Sequence, residues 1–173
     1  EMHEVAWEFV HYVESRKDRA TTLLVEQKFS LAALNPPFEA GGTGDAVLLN
    51  PALGLIEIVD LKTGRGHVVE VTGNKQLRTY ALGALMANPG PWRTVRATIV
   101  QPRAPHPDGR IRTEDFQVAE LLDWTADLLD AMSEAARAAR ALRDDPLAGS
   151  VTWERAFLAP GEHCTFCRAK PTC

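Results

Sequence analysis

The stretch DAVLLNPALGLIEIVDLK, residues 45–62, carries the reading of the fold. DAVLLN, from Asp45, is β-prone, Pro51-Ala52-Leu53-Gly54 is a turn, and Leu55 to Leu61 is a nearly continuous apolar run of strand length. A four-residue connection makes the two strands an antiparallel hairpin that pairs Asn50 with Leu55 and, in the same register, sets Asp45 opposite Asp60. Cross-strand partners stand about 5 Å apart at Cβ. Two carboxylates that close must separate, share a proton or hold a cation. Lys62 follows Asp60 by two residues, so the strand period puts both side chains on one face. Two acids and one ammonium therefore converge at one end of the hairpin.

The rest of the chain is read outward from there. Val5, Phe9 and Val13 are spaced for an amphipathic helix over residues 2–15, and Thr21 to Phe29 (TTLLVEQKF) is a strand. Prolines and glycines make residues 35–44 a loop. Lys75 to Ala87 has helical spacing (Leu77, Tyr80, Ala81, Ala84, Leu85) and stops at Asn88-Pro89-Gly90-Pro91. Val95 to Gln101 is a fourth strand, followed by a proline-rich loop to Gly109. A long helix is expected over residues 114–143, capped by Thr113, with Val118, Leu121, Leu122, Leu129, Met132 and Ala136 as its apolar stripe. Acids near its start and Arg137, Arg140 and Arg143 near its end suit the helix dipole. Helix, three strands, helix, strand, helix and an irregular tail make a mixed α/β chain, with a core over 1–150 and a Cys-rich tail over 151–173 packed on it.

With 45% hydrophobic and 24% charged residues in 173, the chain is globular rather than disordered or collagen-like. No apolar run approaches the roughly 18 residues of a spanning helix, and no secretory signal opens it. It begins at Glu1 without methionine, so a further N-terminal segment is expected. The net charge of −4 conceals an asymmetry. From Lys62 to Arg112 nine Lys and Arg face only Glu70 and Asp108, a local balance of +7 that leaves −11 for the remainder. Such a basic middle suits phosphates, although scattered solvated charge has the same composition.

Hard oxygen ligands such as Asp45 and Asp60 suit Mg²⁺ or Mn²⁺, which keep several waters and bind substrate phosphate. A metal there lowers the pKa of a bound water, and a neighbouring lysine orients it or stabilises developing charge. An acid-x-Lys triplet arises easily by chance, and Glu26-Gln27-Lys28 is a second one. Only Asp60-Leu61-Lys62 has a facing acid. Arg65, Lys75 and Arg78 lie close to these motifs, where they either track a DNA backbone or are ordinary surface cations. The three cysteines, Cys164, Cys167 and Cys173, fall in HCTFCRAKPTC. That confinement points to a soft-metal site, either an iron–sulfur cluster or Zn²⁺ with His163 as fourth ligand, with a disulfide as the alternative.

GTGD (Gly42 to Asp45), VDLKTG (Val59 to Gly64) and QLRTY (Gln76 to Tyr80) resemble, in order and spacing, the RecB-like branch of the PD-(D/E)XK nucleases. With EQKF and QLRTYALGAL, residues 20–173 are similar to a phage family of RecB-like exonucleases and to CRISPR-associated RecB-like nucleases. The resemblance implies a restriction-endonuclease-like αβββαβ core with a mixed central sheet. It implies Asp45 and Asp60 as metal ligands, with the Leu61 carbonyl and Glu26 beside them, Lys62 as the catalytic lysine, and Gln76 and Tyr80 as active-site residues. Cys164, Cys167 and Cys173 would join an upstream cysteine around a 4Fe-4S cluster. Neither that fourth cysteine nor the family's N-terminal ligand histidine has a counterpart here, since the surroundings of His3 and His11 do not match.

The function so implied is an Mg²⁺- or Mn²⁺-dependent DNA exonuclease, phage-encoded and cytoplasmic in a bacterium or infected host. It would act on single-stranded or duplex DNA ends alongside recombination proteins, with no membrane partner. Two other classes compete: a non-catalytic DNA-binding or assembly module on a nuclease fold, and a zinc-stapled interaction domain.

Overall fold

The computed structural model describes residues 2–144, 151–168 and 170–171, with two compact units, residues 1–128 and 129–173. In the first unit, helix α1 (Met2–Ser15) precedes strands β1 (Thr22–Ser30), β2 (Gly41–Asn50) and β3 (Leu55–Leu61). Helix α2 (Lys75–Ala87) then leads to β4 (Thr94–Val100), β5 (Ile111–Gln117) and helix α3 (Val118–Asp144), which runs on into the second unit. The five strands form one mixed sheet in chain order. Only β3 and β4 are parallel, and α2 makes the crossover that a parallel pair requires.

The expected hairpin register holds, with Asn50 opposite Leu55 through to Ala46 opposite Val59. Alternation along β2 and β3 divides the apolar side chains between two faces. Val47, Leu49, Ile56 and Ile58 pack with Leu77, Ala81 and Leu82 of α2, whereas Ala46, Leu48, Val59 and Val100 pack with Val13 of α1. The start of α2 is fixed by Asn74, whose side chain accepts the Leu77 amide at 3.1 Å.

Glu57 breaks the apolar run of β3 and is fully buried on the α1 side. Its Oε1 accepts from Tyr12 OH at 2.6 Å and Thr98 Oγ1 at 2.9 Å, and its Oε2 from Arg16 Nε at 3.0 Å. A buried carboxylate is tolerable only when so satisfied, and these bonds fasten α1 to the sheet. Burial, reinforced by the bond to Glu57, pushes the Tyr12 phenol up to about 12.

Three expectations are corrected. Residues 111–117 are a strand, so the long helix begins at Val118, and Thr113 pairs with Thr98 rather than capping it. The open edge of β4 decides this: Arg112 and Phe116 turn inward, and Arg96 pairs bidentately with Asp115 at 2.6 Å. Leu122 is exposed and lies off the apolar stripe. Finally, the expected loop ends at Gly41, where β2 begins, because Gly41–Gly44 pair with β1.

In the second unit, Trp153 of α4 (Val151–Phe157) donates Nε1 to Ala138 O at 3.1 Å, and the Arg137 guanidinium lies 5.4 Å over the Phe157 ring.

Candidate active site

At the carboxyl end of β3 the chain continues along β4, with the Lys62 amide donating to Val100 O at 2.9 Å. Asp60, the last inward residue of β3, is 4% exposed. Lys62 Nζ lies 2.8 Å from Asp60 Oδ2 as an ion pair, and this buried oxygen has no other partner among the described residues. The same ammonium donates to Gln76 Oε1 at 2.7 Å, and Gln76 Nε2 donates to Tyr80 OH at 2.9 Å. Gln76 and Tyr80 meet because i and i+4 share one face of α2. Burial raises the Asp60 carboxyl above the ordinary carboxylate range, Lys62 opposes the shift, and the charge of Asp45 adds to it.

Asp45 arrives through an irregularity. The β2–β3 ladder ends at Ala46–Val59, one rung short of the expected Asp45–Asp60 pair, and Asp45 Oδ2 instead accepts the Leu61 amide at 2.7 Å. The β1–β2 ladder likewise omits the Glu26–Asp45 rung, though Val25–Ala46 and Gln27–Gly44 keep one register on either side. Across that row the pleat inverts. Leu24 and Val47 face the α2-side core, and so do Phe29 and the α-carbons of Gly42 and Gly44, five and three residues away. Strict alternation would send odd separations to opposite faces. Glu26 takes up the inversion at φ +51°, a left-handed conformation that costs a non-glycine residue about 1–2 kcal/mol. Glycine is required at 42, since a Cβ there would overlap the Tyr80 ring, whereas one on Gly44 would make ordinary contact with Phe29 Cε2 at 3.4 Å.

Asp45, Asp60, Leu61, Lys62, Gln76 and Tyr80 are thus brought together. Glu26 occupies the row of Asp45, but its exposed carboxylate has no hydrogen bond or ion pair among the described residues. Lys75 is exposed beside Gln76, and Arg65 is exposed in the loop after Lys62. Arg78 stands apart from this network: its Nη2 is 3.2 Å from Glu114 Oε1 and its guanidinium lies 5.0 Å over the Phe116 ring.

The loop between Lys62 and α2 is held by residues that the sequence reading did not single out. Gln101, fully buried, accepts the Val69 amide at 3.0 Å and donates to His67 O at 2.7 Å. Arg112, also buried, donates to Val69 O at 2.9 Å, Gly109 O at 2.9 Å and Gln101 Oε1 at 2.8 Å. Glu114 accepts the Gly73 amide at 2.8 Å. The available signal was a polar residue closing the apolar run ATIVQ.

Among the described residues, no three His, Cys, Asp or Glu side chains are grouped to hold a metal ion. Mg²⁺ needs no such cage, because it is held by one or two carboxylates plus waters and substrate phosphate. The buried Asp60 oxygen, met by Lys62 alone among the described residues and lying beside a second carboxylate, fits that requirement. Cys164 is half-buried and Cys167 exposed, both as free thiols. Successive turns (Cys164 N to Gly161 O, 2.9 Å; Cys167 N to Cys164 O, 3.1 Å) place them one turn apart in the 3₁₀ segment Glu162–Phe166 and its end. His163 is exposed, and Cys173 lies outside the described residues.

Fold and site together define a mixed α/β protein with two aspartates, a lysine and a Gln–Tyr pair gathered where a parallel strand ends, the end at which open α/β sheets bind ligands. Residues 1–173 match the family described as "Protein of unknown function (DUF2800)", and the chain belongs to that family. Among the described residues no helix is long and apolar enough to cross a membrane.

Proposed function

We propose that the chain is an Mg²⁺- or Mn²⁺-dependent deoxyribonuclease of the PD-(D/E)XK superfamily, in its RecB-like branch, acting as an exonuclease at DNA ends in phage recombination or DNA processing. Asp60 carries the reading: a buried carboxylate oxygen whose one partner among the described residues is the Lys62 ammonium at 2.8 Å, with a second acid beside it. Burying a carboxylate is costly unless it is paired, and a divalent cation held by Asp60 and Asp45 would add to the compensation that Lys62 gives. The Leu61 carbonyl and waters would complete the ligand set, with Glu26 on the adjoining strand. The bound ion supplies charge neutralisation at phosphate and an acidified water.

Lys62 is held by Asp60 on one side and by Gln76, itself fixed by Tyr80, on the other. Its ammonium is therefore presented in a fixed place for an attacking water or for charge developing at phosphorus. Lys75 and Arg65 lie exposed on the flanks, within the basic middle of the chain, and suit a DNA backbone. In the tail, Cys164 and Cys167 with Cys173 would hold a 4Fe-4S cluster or, alternatively, Zn²⁺.

The test is degradation of end-labelled single- and double-stranded DNA by anaerobically purified protein with Mg²⁺ or Mn²⁺, wild type beside Lys62→Ala. Metal-dependent degradation that falls by roughly 10²-fold or more in the variant is expected. Equal inactivity of both proteins with DNA binding retained would overturn catalysis in favour of a binding module.

A further inference from the structure

Helix α2 is held on two flanks. Gln76 and Arg78 are two residues apart, so they project about 200° apart around its axis. On one flank Gln76 Oε1 accepts from Lys62 at 2.7 Å and Gln76 Nε2 donates to Tyr80 OH at 2.9 Å. On the other, Arg78 Nη2 donates to Glu114 Oε1 at 3.2 Å, and its guanidinium lies 5.0 Å over the Phe116 ring. Glu114 Oε2 accepts the Gly73 amide at 2.8 Å, one residue before the Asn74 cap. One carboxylate of β5 therefore holds the helix at its entry and on the flank opposite Gln76.

These two contacts bracket Gln76 in the chain. The bond to Gly73 resists sliding of α2 along its axis, and the pair with Arg78 resists rolling about it. The pair is shielded, with side-chain exposures of 20% for Arg78 and 18% for Glu114, so salt screens it less than a surface pair. Arg112 stands two residues before Glu114 on the same face of β5, and with Gln101 it holds Val69 in the loop that leads to α2. A hydrogen bond such as that from Lys62 to Gln76 weakens once its atoms part by more than a few tenths of an ångström. The placement of α2 thus decides whether Gln76 meets the ammonium.

We infer that Glu114 and Arg78 are positioning residues of the acid–lysine site: they fix the roll of α2 and so hold Gln76 on Lys62. The inference rests on the proposed nuclease reading, and it makes Arg78 an internal support rather than a DNA contact. Neither residue bonds Asp45, Asp60 or Lys62. Both act through Gln76.

The experiment is a double-mutant cycle. Glu114→Ala removes both contacts, whereas Glu114→Gln keeps an acceptor for Gly73 and removes the charge facing Arg78. Each is made alone and together with Gln76→Ala, urea unfolding confirms that each folds, and DNA hydrolysis with Mn²⁺ is resolved into kcat and KM. In Glu114→Ala kcat should fall about tenfold, within the range set by a misplacement of up to 1 Å, with KM nearly unchanged. Glu114→Gln should fall less in the same direction, and it carries the test if Glu114→Ala does not fold. In the Gln76→Ala background neither change should lower kcat further, as expected of residues that act as a unit. The readout without activity is the side-chain amide NMR signal of Gln76 in metal-free protein, assigned by its loss in Gln76→Ala. That signal should move in the Glu114 variants, in the direction it takes in Lys62→Ala. Arg78→Met should keep the salt dependence of single-strand binding. A slope of log K against log salt lower by about 0.7 would return Arg78 to phosphate contact and overturn its part.

If wild type cleaves DNA but the Glu114 and Gln76 effects on kcat multiply and the Gln76 signal stays in place, the positioning role is overturned and the nuclease reading stands. If wild type cleaves nothing and the signal still moves, the hold on Gln76 stands and catalysis is overturned. No cleavage together with an unmoved signal overturns both.

Discussion

Asp60 and Lys62 project from the same end of β3, and the lysine ammonium sits 2.8 Å from a buried carboxylate oxygen that has no other partner among the described residues. A lysine two residues along a strand reaches its neighbour's carboxylate because the strand period puts both side chains on one face. Leu61 closes β3, and Lys62 extends the pairing with β4 through its amide bond to Val100.

A first prediction concerns metal. Mn²⁺ added at a hundred times its Kd should stabilise the wild type by about 2.7 kcal/mol, raising Tm by roughly 5–10 °C. Asp60→Asn and Asp45→Asn should each lose that shift, as read by differential scanning calorimetry. A shift retained in both variants would place the ion elsewhere.

Gly42 offers a second test. In Gly42→Ala the new methyl overlaps the Tyr80 ring, which should cost about 1–3 kcal/mol in denaturant unfolding and release Gln76 from Tyr80. DNA cleavage should fall with it. Adding Tyr80→Ala makes room for the methyl, so the double variant should lose less stability than the sum of the two single ones, a non-additivity expected of residues in contact.

Alkaline stability should report on Tyr12. Its phenol titrates near 10 when unfolded and at about 12 when folded, chiefly because it is buried. Between those values the folded chain binds the extra proton, so stability falls as pH rises from about 10 to 12. Tyr12→Phe should flatten that slope in urea titrations. At neutral pH the same variant should be less stable by about 1–3 kcal/mol, since Glu57 loses a donor.

The loop clamp predicts a local effect. Arg112→Met keeps the volume but removes the donors to Val69 O, Gly109 O and Gln101, and should cost about 3 kcal/mol. Hydrogen exchange at the Val69 amide should quicken. The Gly73 amide, held by Glu114 instead, should change less and serves as an internal control.

Much of the site was legible because the information was local. A four-residue turn between two apolar runs specifies the hairpin, the hairpin specifies the register, and the period of two puts Lys62 beside Asp60. The spacing of Gln76 and Tyr80 on one helical face is equally local. Periodicity failed at residues 111–117 because an acidic, mixed-polarity segment becomes a strand only when an open edge accepts it. That edge belongs to β4, distant in neither space nor sequence but invisible to a window of residues.

Three features depend on groups far apart in the chain. The pleat inversion at Glu26 and Asp45 turns Asp45 onto the Leu61 amide, and it exists because two strands cross the same row together. Glu57 is buried among Tyr12, Arg16 and Thr98, although its place in a strand offers no clue to those partners. Gln101 and Arg112 hold the loop at Val69 from neighbouring strands. Strand period, turn length and helix spacing are properties of neighbouring residues and can be read along the chain. The satisfaction of a buried polar group is a property of whatever surrounds it, and that is set only when the sheet and its helices have packed.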